Sequence, residues 1–175
     1  MKILALDLAT QTGWCYGPAG STSPRFGSFQ LPKTGDDLGT FALAARKEFE
    51  RFVVPGKVEL VCFERPLFLL RSKTNANTAM KLMGLAVILE MVCVERGVPV
   101  FTADQAAVKK HFVGRGNFGK STKPYPMTVV CHDRGWETKN TDEADAAGIW
   151  DYTVHQACPD LAKNLDPLAM AAGGW

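Results

Sequence analysis

The opening segment KILALDLATQTGWCYG constrains the fold more than any other part of the chain. Ile3 to Leu6 are apolar without a break, as in a strand covered on both faces, and Asp7 then sets a carboxylate at the end of the run. An ionised carboxylate beside such a strand costs several kcal/mol unless a cation compensates it. A fold that keeps Asp7 in place must bring positive charge to it.

Hydrophobic periodicity supplies the surrounding elements. Residues 2–8 are predicted as a buried strand, and TGWCYG and PRFGSFQL as two more, joined through the turn-rich PAGSTS into an antiparallel meander. DDLGTFALAARKEFERFV has Leu38, Phe41, Ala45, Phe49 and Phe52 at helical spacing, with Asp36 or Asp37 as its cap. KVELVCFE is a strand that finishes on a second misplaced acid, Glu64. The long helix NANTAMKLMGLAVILEMVCVERG is expected to be capped near Asn75 and stopped by Gly97. Met80, Met83, Leu85, Val87, Ile88, Met91 and Val92 make it apolar on more than one face, so it is either deeply buried or packed on a second subunit.

VPVF reads as a fifth strand, and TADQ as a capping box of Thr102 with Gln105 opening the helix AAVKKHF. Three glycines and two prolines break regular structure in VGRGNFGKSTKPYP. A helix through MTVVCHDR ends at Gly135, and Asn140 caps a last helix, TDEADAAGIWDYTVH. Residues 1–157 then form one domain, followed by a weakly structured tail over 158–175. The resulting fold class is α/β, with a five-stranded mixed sheet: three antiparallel strands plus two joined in parallel by helical crossovers.

Composition removes several alternatives. At 175 residues, 46% hydrophobic and 22% charged, the chain suits one ordinary globular domain. No apolar run approaches a membrane span, and no signal-peptide pattern opens the chain, so a cytoplasmic protein without membrane contact is expected. Cys15, Cys62, Cys93, Cys131 and Cys158 include no C-x-x-C pair and are expected as reduced thiols. The three histidines form no H-x-x-x-H pattern, which argues against a structural zinc site, and no second histidine is placed to make His111 a ligand. The net charge of +2 announces no nucleic-acid binder, but residues 71–81 and 109–123 are locally basic while acids gather near 36–50 and 142–160.

Parallel neighbours would bring the ends of the first and fourth strands, hence Asp7 and Glu64, to one edge. Asp142 and Asp145 are three apart on the final helix and share a face. Four acids from three elements would repel one another, and hard divalent cations with oxygen ligands are the natural remedy. Two such ions about 3.5–4 Å apart can activate a water and stabilise a leaving oxygen in phosphodiester cleavage. Duller readings stand beside this one. Asp7 suits the first-strand acid of a sugar-kinase or actin-like nucleotide fold, Glu64 a partner of Arg65, Asp142 a helix-dipole charge, and Asp145 a solvated residue. Glu143 is most simply the capping-box partner of Asn140.

ILALDLATQTGW, VCFERP, the helix from Asn75, KKHFVGRG and DEADAAGIW, in that order, resemble the RuvC family of Holliday junction resolvases, which has a ribonuclease H-like fold. The resemblance runs from about Ile3 to His155. It implies that Asp7, Glu64, Asp142 and Asp145 are a catalytic tetrad holding two Mg²⁺ ions per site, with Mn²⁺ as a substitute. It also implies a homodimer, through the helix around 75–96, that nicks two symmetric strands of a four-way DNA junction. The chain departs from close bacterial members in the loop after Glu64 and in GWETKNT, which fits a phage-encoded or otherwise divergent origin.

Two segments are candidate DNA contacts. After Glu64, Leu67 or Phe68 could act as an apolar wedge stacking on an unpaired base, with Arg71, Lys73 and Lys81 on phosphates. The glycine-rich stretch offers Lys109, Lys110, Arg115, Lys120 and Lys123 to the backbone, and Lys120 could also stabilise transition-state charge. Gly114 to Ser121 also matches the phosphate-loop pattern G-x-x-x-x-G-K-S, which keeps open a nucleotide hydrolase. That loop normally follows a buried strand, whereas a helix precedes it here. A non-catalytic nucleic-acid-binding module of the same fold is the remaining alternative.

Overall fold

Alternation along the strands decides which layer each residue joins. The computed structural model describes residues 1–66, 76–116, 118–119 and 121–165. In it, β1 (Lys2–Asp7), β2 (Gln11–Pro18) and β3 (Arg25–Gln30) precede α1 (Leu38–Phe52), and β4 (Leu60–Glu64) precedes α2 (Ala76–Glu95). Then follow β5 (Val100–Ala103), α3 (Gln105–Val113), α4 (Pro126–Asp133), α5 (Thr141–Ala157) and α6 (Pro159–Ala162). The sheet order is β3-β2-β1-β4-β5. The β1–β2 and β2–β3 pairs are antiparallel, and the β1–β4 and β4–β5 pairs are parallel, as the predicted mixed sheet requires.

Each face of the sheet carries its own core. Ile3, Ala5, Cys15 and Cys62 pack with Ile149, Trp150 and Val154 of α5, while Leu4, Leu6, Val61 and Phe63 pack with Phe41 and Phe49 of α1 and Leu85 and Leu89 of α2. Helix α5 is buried all round from Glu143 to Trp150, which explains its lack of a polar stripe. Cys15, Cys62, Cys93 and Cys131 are buried free thiols, and Cys158 is half-buried.

The caps combine expected and altered features. Asp37 accepts from the Thr40 N–H and Asn140 from the Glu143 N–H, each at 2.9 Å. The Thr102–Gln105 capping box does not form: Thr102 belongs to β5, Asp104 caps α3 through the Ala107 N–H, and the Gln105 amide turns to Glu64. Strand β5 lies two residues later than VPVF, in register with β4 from Val61↔Val100 to Glu64↔Ala103. Asn75 lies outside the described residues.

The expected loose tail is ordered through residue 165. Pro159–Ala162 and Lys163–Leu165 form two short helical turns, because Ala162 and Leu165 are apolar and buried in the α5 core. Helix α2 also differs from expectation, being long and apolar enough by length and composition to cross a membrane. Its inner side, through Leu85, Leu89, Val92 and Cys93, is locked into the core with α1. Its outer side leaves Met80, Met83, Val87, Met91 and Val94 exposed.

Candidate active site

The alternation that sorts the core also aims the acids. Ile3 and Ala5 face α5, so Asp7, two residues on, faces it too; Cys62 sets the same sense for Glu64. Leu6 pairs with Phe63 across the parallel β1–β4 ladder, which makes Asp7 and Glu64 the next neighbours at the strand ends. From above, α5 brings Asp145, only 5% exposed, and Asp142 one turn earlier. Gly13 pairs with Asp7 across β1–β2, and a β-carbon there would come within 2.0 Å of the Asp142 carbonyl oxygen. The first turn of α5 therefore rests on bare backbone beside Asp7.

Charge confirms the crowding of three of these acids. Glu64 is pushed up to about 7, first by burial and then by the negative charges of Asp7 and Asp145. The Gln105 amide, donating to Glu64 Oε2 at 3.1 Å, and the Lys109 ammonium pull the other way and lose. Tyr125 donates to Asp145 Oδ1 at 2.6 Å, and its hydroxyl is pushed well above the ordinary range by burial, by Asp145, and more weakly by Asp7 and Glu64. A cleft of about 210 Å³ opens over Asp7, Glu64, Arg65 and Gln105.

On Glu64 the Lys109 ammonium is a compensating charge, yet that carboxyl stays well above its ordinary value of 4.5. Crowded carboxylate oxygens, steadied by the neutral donors Gln105 and Tyr125, suit a hard divalent cation. A prediction follows from the same shift. Because folding raises the Glu64 value from 4.5 to about 7, its contribution to stability is complete below about pH 4.5 and is lost as pH rises through 7. In EDTA the protein is expected to lose on the order of 1–2 kcal/mol between about pH 5 and pH 8, after allowing for partial exposure of the site. Urea unfolding of wild type and Glu64→Gln at both pH values checks this, and an equal slope in the two proteins would refute it.

The candidate DNA contacts divide. Lys110, Arg115 and Lys123 are exposed. Lys109 is 9% exposed, and its ammonium sits 3.4 Å from the Phe118 carbonyl oxygen and 5.1 Å above the Phe118 ring. It is therefore a buried member of the acid site rather than an outward phosphate contact, because α3 turns that face onto the protein. Lys81 donates to the Gly35 carbonyl at 2.7 Å and lies over the Phe41 ring, so it secures the approach to α1. Leu67, Phe68, Arg71, Lys73 and Lys120 lie outside the described residues.

The alternatives raised by the sequence fare unevenly. Arg65 reaches Thr102 Oγ1 at 3.3 Å, and its charge is not among the influences on Glu64. The 114–121 segment follows helix α3 instead of a strand, so it lacks the setting of a nucleotide-binding phosphate loop. Glu143 accepts from the Lys139 N–H at 2.8 Å and from Ser28, a capping box displaced by one residue. Three features escaped the sequence: Gln105 on Glu64, Tyr125 on Asp145, and a cluster of His111 with Asp151 and His155. The spacing Asp151-x-x-x-His155 on one helix was the available signal for the last, and it corrects the expectation that His111 has no second histidine nearby.

No protein-family profile matches this chain, and no curated protein sequence does. Among solved structures, RuvC of Thermus thermophilus superimposes with a TM-score of 0.66 at 17% identity, over 89% of this chain and 93% of that one. T. thermophilus RuvC in complex with a Holliday junction substrate gives the same score and coverage at 18% identity. The chain has the fold of RuvC, a ribonuclease H-like mixed sheet flanked by helices.

Proposed function

We propose that this chain is a divalent-metal-dependent endonuclease that resolves four-way DNA junctions by symmetric nicking, as a homodimer. The observation that carries the reading is the gathering of Asp7, Glu64 and Asp145 at one sheet end, where burial and the charges of the other two push Glu64 up to about 7. It occurs on the fold of a protein solved with a Holliday junction substrate.

Asp7, Glu64, Asp142 and Asp145 would hold two Mg²⁺ ions, with Mn²⁺ able to substitute. When bound, such a pair supplies an activated water and charge against the leaving oxygen of the phosphodiester. The chain's own contribution is position. Gln105 orients the Glu64 carboxylate, and Tyr125 that of Asp145. Lys109 offsets part of the negative field that would repel a DNA phosphate. Lys110, Arg115 and Lys123 face solvent where they can neutralise the backbone. Leu67 or Phe68 is proposed to wedge into the junction, Arg71 and Lys73 to hold phosphates, and Lys120 to assist at the scissile group.

A labelled four-way junction incubated with the protein in Mg²⁺ or in EDTA tests the reading against linear duplex. Paired nicks confined to Mg²⁺ and to the junction are expected; binding without nicking would instead support a silent binding module. The dimer reading rests on the exposed row Met80, Met83, Val87, Met91 and Val94 along α2. Val87→Glu with Val94→Glu is expected to give a monomer by light scattering while the fold persists, since both positions are 64% or more exposed. An unchanged dimer would move the interface elsewhere.

A further inference from the structure

The distal half of α5 carries a second set of ligating groups, starting six residues beyond Asp145. Asp151 and His155 are one turn apart on α5, and His111 meets them from α3. His111 Nε2 lies 2.8 Å from Asp151 Oδ2, and His155 Nδ1 lies 3.7 Å from the same oxygen. One ligand atom from each residue falls within 4.8 Å of the other two, and the imidazole rings stand edge to face with centroids 4.3 Å apart. We propose that His111, Asp151 and His155 form a binding site for a divalent transition-metal ion of the zinc class, separate from the carboxylate centre.

The donor chemistry selects that class. Zinc takes imidazole nitrogen and carboxylate oxygen at about 2.0–2.2 Å, which puts tetrahedral neighbours roughly 3.3 Å apart. The distances of 2.8 Å and 3.7 Å to Asp151 bracket that value. Mg²⁺ fits poorly: it seeks several oxygens, and the one carboxylate here is already paired, Arg134 Nη1 donating to Asp151 Oδ1 at 2.5 Å. Arg134 also fixes that carboxylate from behind, as supporting hydrogen bonds do at metal sites. Asp151 is fully buried, whereas the side chains of His111 and His155 are 25% and 30% exposed, so an ion can enter from solvent and keep an open fourth position.

Binding exchanges one contact for another. His155 Nδ1 lies 2.9 Å from the Asp151 carbonyl oxygen, and a ligating nitrogen must give up any proton it shares there. In return the ion bridges α3 to α5, tying the helix of Gln105 and Lys109 to the helix of Asp142 and Asp145. The inference does not depend on nuclease activity.

Zinc chloride titrated into ¹⁵N-labelled full-length protein, followed through the histidine ring nitrogens, tests it directly. The chain has three histidines, and His132, 86% exposed and outside the cluster, is an internal control. About one equivalent of zinc is expected to move the His111 and His155 signals and leave His132 in place, whereas MgCl₂ moves none of them. His155→Ala, which removes a partly exposed ring, is expected to weaken zinc binding at least about tenfold in competition with a chelator. Static His111 and His155 signals, all three histidines moving together, or unchanged affinity in His155→Ala would each overturn the site.

Discussion

Asp145→Asn is expected to lower Mg²⁺-dependent junction nicking by roughly a thousandfold or more while junction binding persists. The side chain is 5% exposed and accepts the Tyr125 hydroxyl at 2.6 Å, and an asparagine oxygen can still accept it. The change removes charge while keeping shape. Asp7→Asn is expected to behave alike. Glu64→Gln adds a sharper test: Gln105 can be satisfied by the new amide, and the repulsion that pushes Glu64 to about 7 disappears. Metal-free Glu64→Gln should therefore be more stable than wild type above pH 7 yet inactive. Single-turnover cleavage, gel-shift binding and urea unfolding in EDTA provide the three readouts. Retained nicking by any of these variants would remove the acids from the reaction.

The second large effect falls on a residue with no side chain. Gly13→Ala is expected to destabilise the fold by about 3 kcal/mol or more and to abolish cleavage with it. Its β-carbon would sit 2.0 Å from the carbonyl oxygen and 2.3 Å from the carbonyl carbon of Asp142, both backbone atoms of the first turn of α5. That turn is held by the Asn140 cap and by the buried run that follows it, so it cannot swing clear. Gly13 is not among the glycines at positive φ, so contact rather than backbone strain is responsible. Gly148→Ala is the matched control. The added carbon there meets Met127 Cε at 2.2 Å, the tip of a flexible side chain, and a loss of about 1 kcal/mol or less is expected. Equal stability of Gly13→Ala and wild type would mean that α5 is not seated on β2 as described.

Both variants depend on features of different visibility. Asp7 and Glu64 were legible because a strand alternates every two residues, and a charge closing an apolar run breaks a local pattern. Asp145 was legible through its spacing from Asp142 on a helix. Gly13 was unremarkable in TGWCYG, because its importance comes from a helix about 130 positions later in the chain. Lys109 reads locally as one more cation of a basic stretch; only the seating of α3 buries it to 9% exposure beside Glu64. Gln105 likewise reads in sequence as a capping residue, and the position of β4 beside β5 turns its amide to Glu64 instead.

What the chain determined alone is whatever repeats over a few residues: the five strands and the helices α1 to α5, the mixed sheet they assemble, the cap at Asn140, and the acids that end two strands. What required the tertiary structure is every relation between residues distant in the chain. These are the shared charge of Asp7, Glu64 and Asp145, the burial of Lys109, the contact of α5 with Gly13, and the meeting of His111 with His155. The physical reason is one of range. Backbone geometry and hydrophobic periodicity act over one or two turns, whereas burial and Coulomb interactions depend on distances in space that only packing sets.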